Sequence, residues 1–232
     1  MIKVEIVIPC YNEEKNLERL WFQCVAVIKE SNQEIAFVIV DNGSTDNSTQ
    51  FVSLLSGLHP NVRFISLQTN NGYGGGITAG LRQTSAPFIG WTHADLQTPL
   101  TDCLRGKKLL ESDFEFVKGI RTGRPLTDRF FSLGMGLITS LLFQTPLREV
   151  NAQPTIMTRS VIVSWLNPPN DFSLDLYALV MAKKSNRRIA RFDVKFLERI
   201  EGESKWNSGF LSRYKFIART VKYSLRLRKG MI

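Results

Sequence analysis

The chain has little cysteine and almost no histidine. Its three cysteines, Cys10, Cys24 and Cys103, lie far apart with no paired spacing, so neither a disulfide framework nor a thiolate zinc cage is indicated, and a reducing, cytoplasmic setting is the simplest expectation. A long hydrophobic run is also missing. The longest uncharged stretch, residues 130–147, contains Gln144 and Pro146, and its apolar core falls short of a bilayer span, although a position lying on a membrane stays open. The N-terminus has no basic segment followed by an apolar one, so no secretory signal is expected. No internal repeat or low-complexity tract breaks the 232 residues, which suit one large domain or one domain with an appendage. Acidic residues are the last shortage. With 21 Asp and Glu against 30 Lys and Arg, the formal charge of +9 favours an anionic partner such as phosphate, nucleic acid or lipid headgroups.

What the chain does have is alternation. Short runs rich in β-branched and aromatic residues occupy 2–8, 35–40, 62–67 and 88–91, and the segments between them have helical length and spacing, as in Leu17, Leu20, Trp21, Cys24, Val25 and Ile28. This order predicts an α/β fold built on a single doubly wound, mostly parallel sheet. Asn12, Asp46 and the pair Thr98-Pro99 carry helix-start chemistry. Further on, the pattern predicts a strand over 114–119, a mobile basic loop over 121–129, helices over 157–166 and 174–185, a strand over 189–196 and a polar loop over 201–209. The tail, 210–229, is expected to be a basic amphipathic helix with Phe210, Tyr214, Ile217, Val221 and Leu225 recurring at three- and four-residue steps.

Four loops follow the first four strands at their carboxyl ends, where open α/β sheets bind ligands. The first, Pro9-Cys10-Tyr11-Asn12-Glu13-Glu14, offers an aromatic that can stack on a base and amides at a helix start, or else is simply a capped turn. In the second, Asp41-Asn42-Gly43-Ser44-Thr45-Asp46, Asp41 is placed to accept from a base N–H or to close an Asx turn. The third, Asn70-Asn71-Gly72-Tyr73-Gly74-Gly75-Gly76, lacks the lysine ending of a phosphate loop, and tight-turn glycines explain it equally. In the fourth, His93, Asp95 and Gln97 sit at alternate positions, which in extended backbone would converge on one ion.

Taken in order, VIPCYNEEKNL, VDNGSTDNS, NNGYGGGITAGL and HADLQTP resemble the successive motifs of the inverting family 2 glycosyltransferases, and VKGIRTGRP, FSLDLYALVMAKK and ERIEGESKW resemble the branch that makes polyprenyl-phosphate sugars, such as dolichol-phosphate mannose or glucose synthases. The likeness covers roughly residues 4–207. It implies a Rossmann-like sheet of the glycosyltransferase A type with C-terminal amphipathic helices, a catalytic domain over 1–207 divided near 120 into donor and acceptor halves, and a basic helix over 208–232. By that resemblance Pro9, Tyr11, Asn12, Glu13, Asp41, Asn42, Gly43, Asn71, Gly72, Ala94 and Asp95 would hold a GDP- or UDP-linked sugar donor. Asp95 matches the last acid of the family's Asp-x-Asp motif, with Gln97 and His93 as companions for Mg²⁺ or Mn²⁺. His93 replaces the first acid of that motif, as Asn42 replaces a second acid after Asp41, so His93 is open to two readings, ligand or hydrogen-bonding side chain.

The reaction so implied is direct displacement at the anomeric carbon by a polyprenyl phosphate, with Asp95, Arg121 and Asp175 as the catalytic set. Arg121 matches a phosphate-binding arginine, Arg129 and Ser132 are its expected companions, and Arg199, Ser204 and Lys205 match a late basic loop. Asp175 is either a general base, needed for a hydroxyl acceptor, or a partner of the helix dipole. Residues 149–154 depart from the pattern expected of a mannose synthase, which leaves the donor sugar open. Residues 130–143 and the tail helix are expected to rest on the anionic inner face of the membrane, peripherally and without a transmembrane helix, a homo-oligomer staying open. Transfer to a saccharide hydroxyl and a catalytically weak sugar-nucleotide scaffold are the competing readings, and a nucleic-acid module explains the charge but none of the ordered loops.

Overall fold

Strands β1 (Val4–Cys10) and β2 (Ile35–Asn42) are the two most deeply buried neighbours of the first half, and every residue of β2 is buried, as near-continuous apolar runs in a parallel sheet should be. The computed structural model describes residues 1–198 and 210–230, apart from the side chains of 126–131 and 210–216. β1 pairs in parallel with β2 and with β4 (Phe88–Trp91), and β2 pairs in parallel with β3 (Val62–Leu67). Helices α1 (Glu14–Glu30), α2 (Ser48–Leu55), α3 (Gly72–Arg82) and α4 (Asp102–Glu111) alternate with these strands, as the apolar spacing predicts.

The second half completes one seven-stranded sheet in the order β3-β2-β1-β4-β6-β5-β7, where β5 is Phe116–Thr122, β6 is Thr155–Thr158 and β7 is Ile189–Lys195. β6 runs antiparallel between β4 and β5, and β7 runs parallel to β5. Two expectations are corrected here. The helix expected over 157–166 begins as β6 and continues only briefly as α6 (Arg159–Val163), because a short apolar run has no periodicity of its own and pairing with two strands decides it. The basic loop expected from 121 is mostly ordered structure: Arg121 and Thr122 stay in register with Val194 and Lys195, and α5 (Leu126–Phe143) opens soon after.

Side-chain alternation builds a core on each face. Val4, Ile6, Ile8, Phe37 and Ile39 pack with Leu17, Leu20 and Ile28 of α1 and with Cys103 and Leu110 of α4. On the other face, Val7, Val38 and Val40 meet Ile77 and Leu81 of α3 and Leu174, Tyr177 and Ala178 of α7 (Ser173–Lys184). Cys10, Cys24 and Cys103 are buried and unpaired. Helix α8 (Phe210–Lys229) packs against α5. Among the described residues no helix is long and apolar enough to cross a membrane, yet α5 presents Leu133, Leu137 and Leu141 at four-residue steps, each at least 60% exposed.

Candidate active site

Because β1, β2, β3, β4, β5 and β7 point the same way, their carboxyl ends share one edge of the sheet, and the first two loops are sewn together there. Asn12 sits at a positive φ of 57°, accepts from Thr45 N at 2.8 Å through its side chain and donates its own N–H to Ser44 Oγ at 3.0 Å. It therefore braces the second loop and does not cap α1. Asp46 serves both loops, accepting from Ser48 N at 3.0 Å and from Glu14 N at 3.2 Å. Glu13 accepts from Asn16 Nδ2 at 2.6 Å, and Pro9 lies in register with Val40. Asp41 is buried and braces the second loop, one carboxylate oxygen accepting from Ser44 N, three residues on, at 3.0 Å and the other from Thr49 Oγ1 at 2.6 Å.

The third loop is held by Asn42 and by glycines. Asn42 is buried, accepts from Asn71 N at 3.1 Å and donates to the Gly72 carbonyl at 2.9 Å, so the amide that stands in place of an acid acts as a staple between loops. Gly43 combines a φ of +71° with a wall of backbone, since a Cβ there would meet Thr69 C at 2.5 Å. Gly72, also at positive φ, lies against the Asn170 carbonyl, which in turn accepts from Gly75 N at 3.1 Å. Close approach of the loop before α7 thus accounts for Gly72 and Gly74, whereas Gly76 lies against the Asn42 side chain.

The fourth loop departs from the extended geometry expected of it. The strand ends at Trp91 and the chain turns at Leu96, where φ is 56°. His93, Asp95 and Gln97 remain partly exposed while Ala94 and Leu96 are buried. Gln97 Nε2 donates to the Leu197 carbonyl at 3.2 Å and Gln97 O accepts from Leu197 N at 2.8 Å, tying this loop to the segment after β7. Gln97 N donates to Asp95 Oδ1 at 3.1 Å. The His93 ring stacks on Tyr73 with centroids 5.3 Å apart, and Tyr73 stacks on Phe172 at 4.3 Å. Among the described residues no group of three or more His, Cys, Asp and Glu side chains is placed to hold a metal ion. Thr98-Pro99 does not open α4 either: a turn from Pro99 O to Asp102 N comes first, and the helix starts at Asp102.

Beneath these loops lies a buried polar centre that the sequence pattern did not announce. Asp175, in the first turn of α7, is 1% exposed and accepts from Gln153 Nε2 at 2.8 Å and from Trp91 Nε1, Lys118 Nζ and Tyr73 Oη, each at 3.2 Å. Lys118 is fully buried and also donates to Thr155 Oγ1 at 2.6 Å. Burial pushes the Lys118 ammonium down to about 8, against the raising influence of Asp175. Burial likewise drives the Tyr73 phenol well above its ordinary range, with Asp175 adding to the effect. A lone lysine within the apolar run of β5 was the available signal. Nothing local indicated that its partner lies on α7.

At the end of β5 a second cluster assembles. Arg121 Nε donates to Glu149 Oε2 at 2.8 Å, and its guanidinium lies 5.7 Å from the Phe196 ring centroid. Arg124 donates to Glu149 Oε1 at 2.6 Å and to Ser132 Oγ at 2.9 Å. Arg191 donates to the Glu149 carbonyl at 3.1 Å, and burial lowers its pKa while Glu149 opposes the shift. Arg121 and Ser132, expected together, are therefore linked through Arg124 and Glu149, while the Arg129 side chain and Arg199, Ser204 and Lys205 lie outside the described residues.

The model of "Glycosyl transferase family 2" matches residues 5–164, well over half of the chain. The chain belongs to that family. Among curated relatives of this family 2 chain, an undecaprenyl-phosphate 4-deoxy-4-formamido-L-arabinose transferase of Serratia proteamaculans is 28% identical over 211 residues, covering 88% of this chain and 63% of that one. A protein of the same description from Yersinia pestis is 29% identical over 210 residues, with the same coverage. The chain thus spans about 63% of the length of the relatives it matches. Among solved structures, glucosyl-3-phosphoglycerate synthase from Mycobacterium tuberculosis, in complex with Mn²⁺, uridine diphosphate and glucosyl-3-phosphoglycerate, superposes with a TM-score of 0.71 at 18% identity, covering 99% of this chain and 80% of that one. That likeness shows the same fold over the whole sheet, β7 included, which lies beyond the residues the family model matches.

Proposed function

We propose that this family 2 chain transfers a sugar, with inversion, from a nucleotide diphosphate donor to a polyprenyl phosphate at an anionic membrane surface. The observation that carries the choice of acceptor is the enclosure of Asp175. A carboxylate that is 1% exposed and faces four donors, one of them an ammonium, is not within reach of an acceptor hydroxyl and is already committed. Transfer to a saccharide needs a base to take the hydroxyl proton. A lipid phosphate needs none, because a phosphate monoester with a second pKa of about 6 is anionic at neutral pH. The relatives' names, which specify undecaprenyl phosphate, support the same acceptor class.

On this reading the sewn first and second loops hold the base and ribose, and Tyr11, at the mouth of the first, supplies an aromatic face. The structures with Mn²⁺ and uridine diphosphate support a UDP-linked donor and a divalent cation. Asp95 and His93, partly exposed at the strand end, would hold such a cation through one carboxylate and one imidazole, a donor set that suits Mn²⁺ better than Mg²⁺. When bound, the cation neutralises charge on the leaving diphosphate. Arg121, Arg124 and Ser132 orient the acceptor phosphate so that its oxygen attacks the anomeric carbon from the face opposite the diphosphate.

The exposed Leu133, Leu137 and Leu141 of α5 supply an apolar stripe for a lipid surface, and the basic helix α8, which packs against α5, carries Lys222, Arg226 and Lys229 for anionic headgroups. The test is a panel of nucleotide sugars with polyprenyl phosphate and Mn²⁺ or Mg²⁺, scored for lipid-linked product. Absence of product with every donor and cation overturns the proposal.

A further inference from the structure

Glu149 receives an arginine on each carboxylate oxygen. Arg121 Nε lies 2.8 Å from Oε2, Arg124 Nη2 lies 2.6 Å from Oε1, and the Glu149 carbonyl accepts from Arg191 at 3.1 Å. Two guanidiniums on the two oxygens of one anion is also the way arginines engage a phosphate. Arg124 further holds Ser132, which the family resemblance implies as a companion on the acceptor side, and the ion pairs are largely shielded, the side chains of Arg121, Arg124 and Glu149 being 15%, 6% and 16% exposed. The backbone of Glu149 sits at a φ of 45°, an uncommon conformation for a residue other than glycine, and the Arg191 bond to its carbonyl helps fix it there.

We infer that Glu149 is an internal stand-in for the acceptor phosphate: its carboxylate keeps Arg121 and Arg124 paired and oriented in the free protein and gives them up when the lipid phosphate arrives. The inference rests on the phosphate-acceptor reading. Glu149 is then a positioning residue and a determinant of affinity, because the incoming anion competes with a tethered one for the same guanidiniums. Two consequences follow from charge alone. Removing the carboxylate charge strengthens phosphate binding, since like charges at one site oppose each other. It also leaves more positive charge unneutralised, so binding weakens more steeply as salt is added.

The experiment is titration of the full chain with geranyl phosphate, a short soluble prenyl phosphate, by calorimetry at low and moderate ionic strength, with geraniol as the uncharged control. Glu149→Gln is expected to bind geranyl phosphate about tenfold more tightly than the wild type and with a steeper salt dependence, a change that a purely structural role would not produce. Glu149→Asp keeps the charge but cannot reach both arginines, so its affinity falls between the two and decides the matter should Glu149→Gln melt early. Binding by either folded variant that is equal to or weaker than the wild type's overturns the inference. If wild type binds and Arg121→Ala does not, the phosphate-acceptor reading stands on its own in that case. If geranyl phosphate binds no better than geraniol to the wild type and to every variant, both the reading and the inference fall.

Discussion

Replacing Asp175 by asparagine separates an anchor from a base. The substitution preserves shape and one accepting oxygen, so Trp91 keeps its partner at Oδ1 while the Tyr73 hydroxyl, which bonds Oδ2, turns to accept from the new amide, but it removes the charge that Lys118 faces at 3.2 Å inside the protein. Truncating one member of a buried ion pair typically costs about 3–5 kcal/mol. The lower end applies here, because Lys118 is already pushed down to about 8 and sheds its proton more readily once the carboxylate is gone. For a chain of this size a loss of about 3 kcal/mol lowers Tm by about 6–12 °C. The pH dependence has a definite sign. A lysine whose folded pKa lies below its unfolded value binds fewer protons in the native state, so stability rises with pH between about 8 and about 10.4. A neutral amine needs no counter-ion, and the gap between Asp175→Asn and wild type should therefore narrow as melts are repeated from about pH 7 to about pH 9.5. Adding Lys118→Met to Asp175→Asn should recover at least about 1 kcal/mol, since the two groups share one interaction. Lipid-phosphate transfer should persist within about tenfold, whereas loss of a general base costs about 10²–10⁴-fold. An unchanged Tm with transfer reduced a thousandfold or so would refute the anchor role and restore the hydroxyl acceptor.

Gly43→Ala places a Cβ against Thr69 at a φ of +71°, and a loss of at least about 2 kcal/mol is expected in urea melts, together with weaker UDP binding. Asp95→Ala should reduce sugar transfer by about a hundredfold or more, while His93→Asp, by supplying a second oxygen ligand, should raise the ratio of Mg²⁺- to Mn²⁺-supported turnover, and an unchanged ratio would remove His93 from the cation site. Leu137→Glu, on the 63% exposed face of its side chain, should leave the melting curve nearly unmoved yet reduce sedimentation with vesicles rich in phosphatidylglycerol, and equal sedimentation would count against α5 as the lipid-facing helix.

The doubly wound half was legible because its signals are local. Val38 and Val40 alternate with Phe37 and Ile39 across the sheet, and Leu17, Leu20, Cys24 and Ile28 recur at helical spacing, so face and period could be read directly. β6 was not, because Thr155, Ile156, Met157 and Thr158 form a strand through pairing with residues 64–70 positions upstream on β4 and about 40 upstream on β5, and pairing leaves no mark on so short a run. The candidate site divides the same way. Glycines, Asp41 and Asp95 announce themselves through turn chemistry at strand ends, whereas Lys118, Gln153, Arg124 and Arg191 acquire their roles from groups distant in sequence, for Arg191 the Glu149 carbonyl. Asn42 shows the limit most clearly. Read as the replacement of a second acid and as a candidate donor-binding residue, it is an amide whose donor and acceptor are both used between loops, a service that a carboxylate cannot perform.

Asp175 and Glu149 differ in what surrounds them, and the difference bears on the acceptor. Asp175 faces one buried ammonium and is matched by it, with Trp91, Tyr73 and Gln153 filling its remaining capacity. Glu149 faces two guanidiniums, and a third bonds its carbonyl. Lys118, Arg121, Arg124 and Arg191 set against Asp175 and Glu149 leave two positive charges in excess, and Arg121 and Arg191 both lower the Lys118 pKa, so these groups sense one another. Holding such an excess in a partly buried place is unfavourable unless an anion offsets it. A saccharide hydroxyl brings no charge there. A phosphate monoester brings about −1.5 to −2 near neutral pH, which closes the balance without a base.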